Sequence, residues 1–251
     1  MRPLKTLAAR CTATLFAVAF FGTSALATGG PLPPVPQAEL PQWHAVGVVN
    51  VEGPAGIPSC SGTLVAPDLV LTAAHCAGGR KAGQNPRFFV VGWNGTTRIA
   101  YREAAEMRVY PPYLSASDTR AFAFDVGVLQ LQTPVPAETA EPVSLFAGTV
   151  ETGPVALLAY HRFAPRQLHG RFDCDAGPAW DATMILSDCT VVSGNSGGAL
   201  LVRDEERWTL GGVIVARAGP DGNAMVVPVN DWIRAEVAAA QQRAEERAAQ
   251  P

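Results

Sequence analysis

The sequence predicts an all-β domain closed by a single C-terminal helix. Three observations carry that prediction. Short apolar runs recur from residue 44 onward, among them HAVGVVNV, GTLVAPDLVLTAA, RFFVVGW, DVGVLQLQ, PVALLAY, GALLV and WTLGGVIVA. Gly, Pro and Asn separate them at the spacing of strands joined by turns. With 24 glycines and 21 prolines in 251 residues and only 8% aromatics, the composition suits many short strands rather than a helical bundle. Between Trp43 and Pro228 no stretch has helical periodicity beyond a possible single turn at Ala73–Cys76, and no repeat recurs at a period of roughly 20–50 residues.

The first 27 residues are read apart from the domain. A basic start, MRPLKTLAAR, precedes the apolar run TATLFAVAFFGTSA and the small-x-small site Ala25-Leu26-Ala27. This is the pattern of a secretory signal peptide cleaved near Ala27, and it predicts a secreted or periplasmic protein. The rival reading, a membrane anchor, needs ~20 apolar residues, and this run is too short. Cleavage removes Arg2, Lys5 and Arg10 and no acid, so 16 basic residues face 22 acidic ones and the net charge moves from −3 to −6. A mildly acidic exported chain lacks the footprint of a nucleic-acid or anionic-membrane binder.

Cleavage also removes Cys11, leaving Cys60, Cys76, Cys174 and Cys189. An even count in an exported chain predicts two disulfides. Of the three pairings available, the local one, Cys60–Cys76 and Cys174–Cys189, is expected, each loop contributing ~3 kcal/mol in the chain-entropy view. Zinc is the rival, but no cysteine pair has the close spacing that zinc sites favour. No carboxylate cluster demands calcium, and no cofactor is expected.

Residues 28–42, TGGPLPPVPQAELPQ, are proline-rich and aperiodic, and read as an extended linker or short pro-segment. After Pro228 the segment NDWIRAEVAAAQQRAEERAAQ predicts a helix capped by Asn230 or Asp231, with Trp232, Ile233 and Val237 packing one face. Its second half is polar all round and is expected to fray into solvent. The expected organisation is therefore a signal peptide over 1–27, a linker over 28–42, a domain over 43–234 and a polar helical tail over 235–251.

Chemistry points to VVSGNSGGALLV, residues 191–202, where Ser196 sits among glycines before a strand. A serine hydroxyl is a weak nucleophile unless a base takes its proton and an acid orients that base. Of the four histidines, His75 stands in LTAAHC, after an apolar strand and beside Cys76. Asp125, in AFAFDVGVLQL, is a charge between an aromatic run and an apolar strand, an expensive place for a carboxylate without partners. The order His75, Asp125, Ser196 discriminates between folds. GNSGG also fits the G-x-S-x-G elbow of α/β-hydrolases, which run Ser, acid, His; here no histidine follows Ser196. Subtilisin-like enzymes run Asp, His, Ser; Asp68 does precede His75, but it sits in a Pro-Asp turn.

LTAAHC, DVGVLQL and GNSGG, in this order and with CSGTLVAPDLVLTAAHC around the histidine, resemble the trypsin/chymotrypsin-like serine peptidases over roughly Trp43–Arg234. The resemblance implies two packed six-stranded antiparallel β-barrels with a cleft between them and a C-terminal helix, and a monomer acting on a protein or peptide substrate. It implies that Ser196 attacks the scissile carbonyl, that His75 is the base and that Asp125 orients it. It gives the oxyanion hole to the N–H groups of Gly194 and Ser196. In animal members an aspartate before the serine pairs with a new N-terminal ammonium. Here Asn195 carries no charge, and no Ile-Val-Gly-Gly-type start follows a basic residue. Both features resemble bacterial members, including the glutamyl-endopeptidase-like group with GNSG. Asn195 is expected to organise the turn through neutral amide hydrogen bonds.

For the substrate pocket the resemblance points to Thr190, six residues before the serine, and to Val215, Ala216 and Arg217 on GGVIVARAG. No acid at Thr190 argues against an Arg or Lys preference. Arg217 is either a solvated loop residue or an attractor of acidic side chains. Glutamate-selective relatives use a histidine in this strand, and none is present. Small apolar, aromatic and acidic preferences stay open. His161 and His169 are placed on two strands joined by a turn, and His44 is an ordinary strand residue. The functional reading is a secreted serine endopeptidase. The alternatives are a peptidase of very narrow substrate range and, in another class, a non-catalytic relative that keeps the fold for binding.

Overall fold

A computed structural model describes residues 30–53, 56, 59–79, 87–117, 119–179 and 184–249. The expected signal peptide and the cleavage site at Ala27 lie outside the described residues. Among the described residues no helix is long and apolar enough to cross a membrane.

Two closed six-stranded barrels make up the body, joined by antiparallel pairing throughout. The first holds β1 (Val46–Asn50), β2 (Cys60–Ala66), β3 (Leu69–Thr72), β4 (Phe88–Val91), β5 (Ala100–Val109) and β6 (Gly127–Leu131), in the order β1-β2-β3-β6-β5-β4. The second holds β7 (Gly153–His161), β8 (Ala164–Pro178), β9 (Ile185–Thr190), β10 (Ala199–Asp204), β11 (Arg207–Ala218) and β12 (Asn223–Pro228), in the order β10-β11-β12-β9-β8-β7. The predicted all-β class follows from these strands. Closure leaves no free edge in either sheet, so every strand has a neighbour on both sides to pair with. One large apolar cluster runs through both barrels and unites Leu64, Leu71 and Phe89 of the first with Leu158, Leu201 and Val213 of the second.

The short helix α1 (Pro111–Ser115) and a 3₁₀ turn at Thr119–Phe124 were not expected from periodicity. Pro111 and Pro112 read as breakers in sequence, yet they occupy the first positions of the helix, where a missing N–H costs nothing. The C-terminal helix α2 spans Asp231–Ala248, and the Asn230 side chain caps it by accepting the Ile233 N–H at 3.0 Å. Ile233, Val237 and Ala240 are buried. Its second half does not fray, contrary to the expectation from its polarity. Arg243 donates to Gln130, and Arg247 pairs at 2.6 Å with Asp68, whose side chain is only 3% exposed. The acid that holds the helix end lies in the first barrel, 179 residues away in sequence (247 − 68), so no local periodicity reveals it.

The proline-rich segment is extended, as its composition predicts, and it is bonded to the second barrel. Val35 N–H donates to Leu168 O and Gly170 N–H to Pro33 O, both at 2.9 Å, and Pro31 bridges to Thr190. Leu32 and Val35 are buried among the strands, and a 3₁₀ turn at Gln37–Trp43 then brings Trp43 against Phe172, with ring centres 5.4 Å apart. Leu32 is thus a core residue of the second barrel. Leu32→Ala is expected to cost ~2–3 kcal/mol and to lower the thermal midpoint by ~5–10 °C, measured by circular dichroism. An unchanged midpoint would mean the segment does not dock in solution.

Candidate functional site

His75 and Asp125 meet because of strand pairing in the first barrel. β3 and β6 are hydrogen-bonded neighbours with Thr72 opposite Gly127. The chain therefore leaves β3 and enters β6 at the same end of the barrel. A turn closed by Cys76 N–H to Ala73 O at 3.0 Å carries His75 out to the rim, and the 3₁₀ turn before β6 delivers Asp125. One Asp125 oxygen accepts the His75 backbone N–H at 2.9 Å and the other lies 2.6 Å from His75 Nδ1. The carboxylate is 5% exposed and the imidazole 41%. A carboxylate accepting from Nδ1–H leaves the lone pair of the neutral ring on Nε2.

The disulfide Cys60–Cys76 joins the residue before Ser61 to the residue after His75, and Cys174–Cys189 ties β8 to β9. Both are the local pairs expected. The acid–histidine–cysteine groupings around these bridges offer sulfurs already committed to disulfides, which are poor metal ligands compared with thiolates.

The second barrel supplies Ser196 on the loop between β9 and β10. Its backbone can be accounted for group by group. The carbonyl of Val192 accepts Asn195 N–H at 3.0 Å, that of Ser193 accepts Arg162 N–H at 2.8 Å, and that of Asn195 accepts Gly198 N–H at 2.9 Å. The carbonyl of Gly194 lies 2.9 Å from the Ser61 hydroxyl, and that of Ser196 accepts Ser61 N–H at 2.7 Å. Every carbonyl from 192 to 196 is thus engaged. Among the described residues the N–H groups of Gly194 and Ser196 have no protein acceptor. Gly194 has φ +100° in the four-residue turn Val192–Asn195, and a Cβ there would sit 2.8 Å from His161 Cα. Only glycine fits. In a trans peptide C=O and N–H point opposite ways, so drawing the Ser193 carbonyl towards Arg162 aims the Gly194 N–H to the other side.

Asn195 is 1% exposed. Its Oδ1 accepts Val192 N–H at 2.7 Å and its Nδ2 donates to Tyr160 O at 2.9 Å. The neutral amide therefore satisfies one buried donor and one buried acceptor at once, which a carboxylate cannot do.

A cavity of about 160 Å³ adjoins Ser196, walled by Val191, Val192, Ser193, Ile214, Ala216 and Arg217. Of the positions singled out in sequence, Ala216 and Arg217 line it. Val215 points into the core at 3% exposure. Thr190 lies outside the lining and donates its hydroxyl to Asp221 O at 2.9 Å. A bulge in β11 accompanies the difference: Ile214 pairs with Val226 and Ala216 with Met225, so Val215 has no ladder partner of its own and regular alternation breaks there. Val191 and Val192 carried no signal in sequence beyond their nearness to Ser196, and Ile214 none beyond its place next to Val215. A separate cavity between Trp43, Trp93, Tyr160 and Leu168 contains none of these reactive groups.

His161 and His169 face each other across β7 and β8 with ring centres 3.9 Å apart. His161 Nδ1 accepts the N–H groups of Phe163 and Ala164 at 3.2 and 3.1 Å, while His169 Nδ1 lies 2.8 Å from Gln167 O and donates to it. Burial pushes both rings below the ordinary histidine range, and the neighbouring ring adds to this for His169, which falls to about 4. A histidine held neutral in the fold charges more readily when unfolded. Its contribution to stability is complete above about pH 6.5 and is lost as pH falls towards 4. His169→Phe is expected to flatten the decline of the thermal midpoint between pH 6.5 and 4; an identical decline would remove His169 as its cause.

A family model described as a trypsin-like peptidase domain matches residues 60–213. No curated protein sequence matches the chain. A solved structure described as a Glu endopeptidase in complex with MPD is similar to this chain with a TM-score of 0.69 and 18% identity, covering 86% of this chain and 100% of that one. At that identity the likeness is one of fold.

Proposed function

The chain belongs to the trypsin-like peptidase family, and on that footing we propose that it is an exported serine endopeptidase using His75, Asp125 and Ser196. The observation that carries this reading is the turn at 192–196, whose carbonyls are all engaged while the N–H groups of Gly194 and Ser196 have no acceptor among the described residues. Orphan donors on a tight glycine turn are costly unless something is meant to accept from them.

In the proposed reaction Ser196 Oγ attacks the scissile carbonyl carbon and its proton passes to His75 Nε2. The carbonyl oxygen becomes an anion held by the Gly194 and Ser196 N–H groups. Asp125 keeps Nδ1 protonated and stabilises the imidazolium. The imidazolium returns its proton to the leaving amine, giving an acyl-Ser196 ester, and water reverses the steps to release the acid. Because Asn195 bonds as a neutral group, assembly of the turn needs no new N-terminal ammonium. Two disulfides and a signal-like leader support export.

A fluorophosphonate should form one adduct, on Ser196, located by mass spectrometry, and Ser196→Ala should abolish it. His75→Ala should slow its formation by about a thousandfold or more. No adduct on folded, disulfide-intact protein would replace this reading with a non-catalytic binding role.

The cavity beside Ser196 also bears on the substrate. Its walls are apolar apart from Ser193, Asn195, Ser196 and the single charge of Arg217. Among the described residues that guanidinium has no acid partner. An acidic side chain before the cut suits such a pocket. Cleavage after Glu is expected to exceed cleavage after Gln by about ten- to a hundredfold in kcat/KM, the size of one charge-assisted hydrogen bond. Arg217→Gln should erase that ratio; a ratio near one in the unaltered protein would assign Arg217 to solvent.

A further inference from the structure

We infer that Ser61 is a positioning residue for the oxyanion hole: its hydroxyl, delivered by the first barrel, fixes the peptide plane that follows Gly194 in the second. The inference rests on the serine-peptidase reading and adds to it a residue that the nucleophile, base and acid do not include.

Ser61 is the second residue of β2, fully buried and next to Cys60. Its hydroxyl accepts Tyr160 N–H at 2.8 Å and lies 2.9 Å from Gly194 O and 3.2 Å from Tyr160 O. A hydroxyl has one proton to give. Tyr160 O is already served by Asn195 Nδ2 at 2.9 Å. Gly194 O has no other donor among the described residues, so the proton belongs there. The backbone of Ser61 is tied as well: its N–H donates to Ser196 O at 2.7 Å, and its carbonyl accepts the Thr72 hydroxyl at 2.7 Å.

A buried donor, Tyr160 N–H, and a buried acceptor, Gly194 O, thus face one point. A hydroxyl is the smallest side-chain group that satisfies both; alanine would orphan both. Gly194 has no side chain to restrain its dihedrals, so the turn holds its shape through the bonds on its carbonyls together with those of the Asn195 side chain. Without the bond to Gly194 O, the turn can relax to one in which the Gly194 and Ser196 N–H groups no longer share a target.

The test is Ser61→Ala in the full mature protein. Removing an oxyanion donor outright costs about 10²–10³ in kcat, so loosening one through its neighbour should cost about tenfold, with KM unchanged. Affinity for a peptide boronic acid, whose tetrahedral adduct places an oxygen in the hole, should fall by the same factor. The pH midpoint of kcat/KM that reports His75 should stay in place, and amide exchange over residues 193–198 should quicken. If Ser61→Ala does not fold, Thr72→Val removes only the bond to the Ser61 carbonyl at similar volume and should give a smaller loss in the same direction. Unchanged kcat, boronate affinity and exchange in the folded variant would overturn the inference, as would a lower thermal midpoint with full activity per folded molecule. Should the unaltered protein neither label nor bind the boronate, the peptidase reading fails instead. Exchange over 193–198 then decides Ser61 alone: faster exchange in Ser61→Ala supports the clamp, and unchanged exchange overturns it.

Discussion

The whole arrangement depends on holding two separately closed barrels in one register. His75 and Asp125 hang from the first and the Ser196 turn from the second, and the acyl transfer proposed for them tolerates misplacement of only about an ångström. Apolar packing alone does not set so fine a register, because burial is not directional. Directional bonds do. Ser61 N–H to Ser196 O and the Ser61 hydroxyl to Gly194 O run from the barrel that carries His75 to the loop that carries Ser196. The Cys60–Cys76 bridge then welds the strand bearing Ser61 to the turn bearing His75. Close approach of the two barrels explains Gly197: a Cβ there would collide with the Ser61 carbonyl and the Thr72 hydroxyl.

Asn195 holds its turn with a single neutral side chain. A buried aspartate at that position would need a cation beside it. The amide of Asn195 instead bonds to Val192 N–H and Tyr160 O, both within the same barrel. The turn can therefore assemble as the chain folds. The rest of the second barrel supports it with a neutral layer: two buried histidines of opposite tautomer lie behind Gly194, and the Arg162 N–H next to them holds the Ser193 carbonyl.

Two peripheral segments finish the body. Residues 31–35 lie along the second barrel, and α2 docks on the first through Ile233, Val237 and the Asp68–Arg247 pair. Both look expendable by composition, one because it is proline-rich and the other because it is polar. Each is held by partners far away in sequence, which is why composition misjudges them.

The sequence by itself determined the β class, the cysteine pairing and the order of His75, Asp125 and Ser196, because these are written in local patterns: apolar runs between turn residues, loop lengths, and short motifs. It also marked Ala216 and Arg217 as neighbours of the serine. Only the tertiary structure decided which residues of β11 meet the cavity, so that Val215 turns to the core while Val191, Val192 and Ile214 form the walls. It alone decided that Asp68 anchors the helix end and that Leu32 belongs to a core. It alone brought Ser61 to the carbonyl of Gly194, 133 residues away. A contact made across a barrel interface depends on the meeting of two chain segments, and neither segment contains a sign of the other.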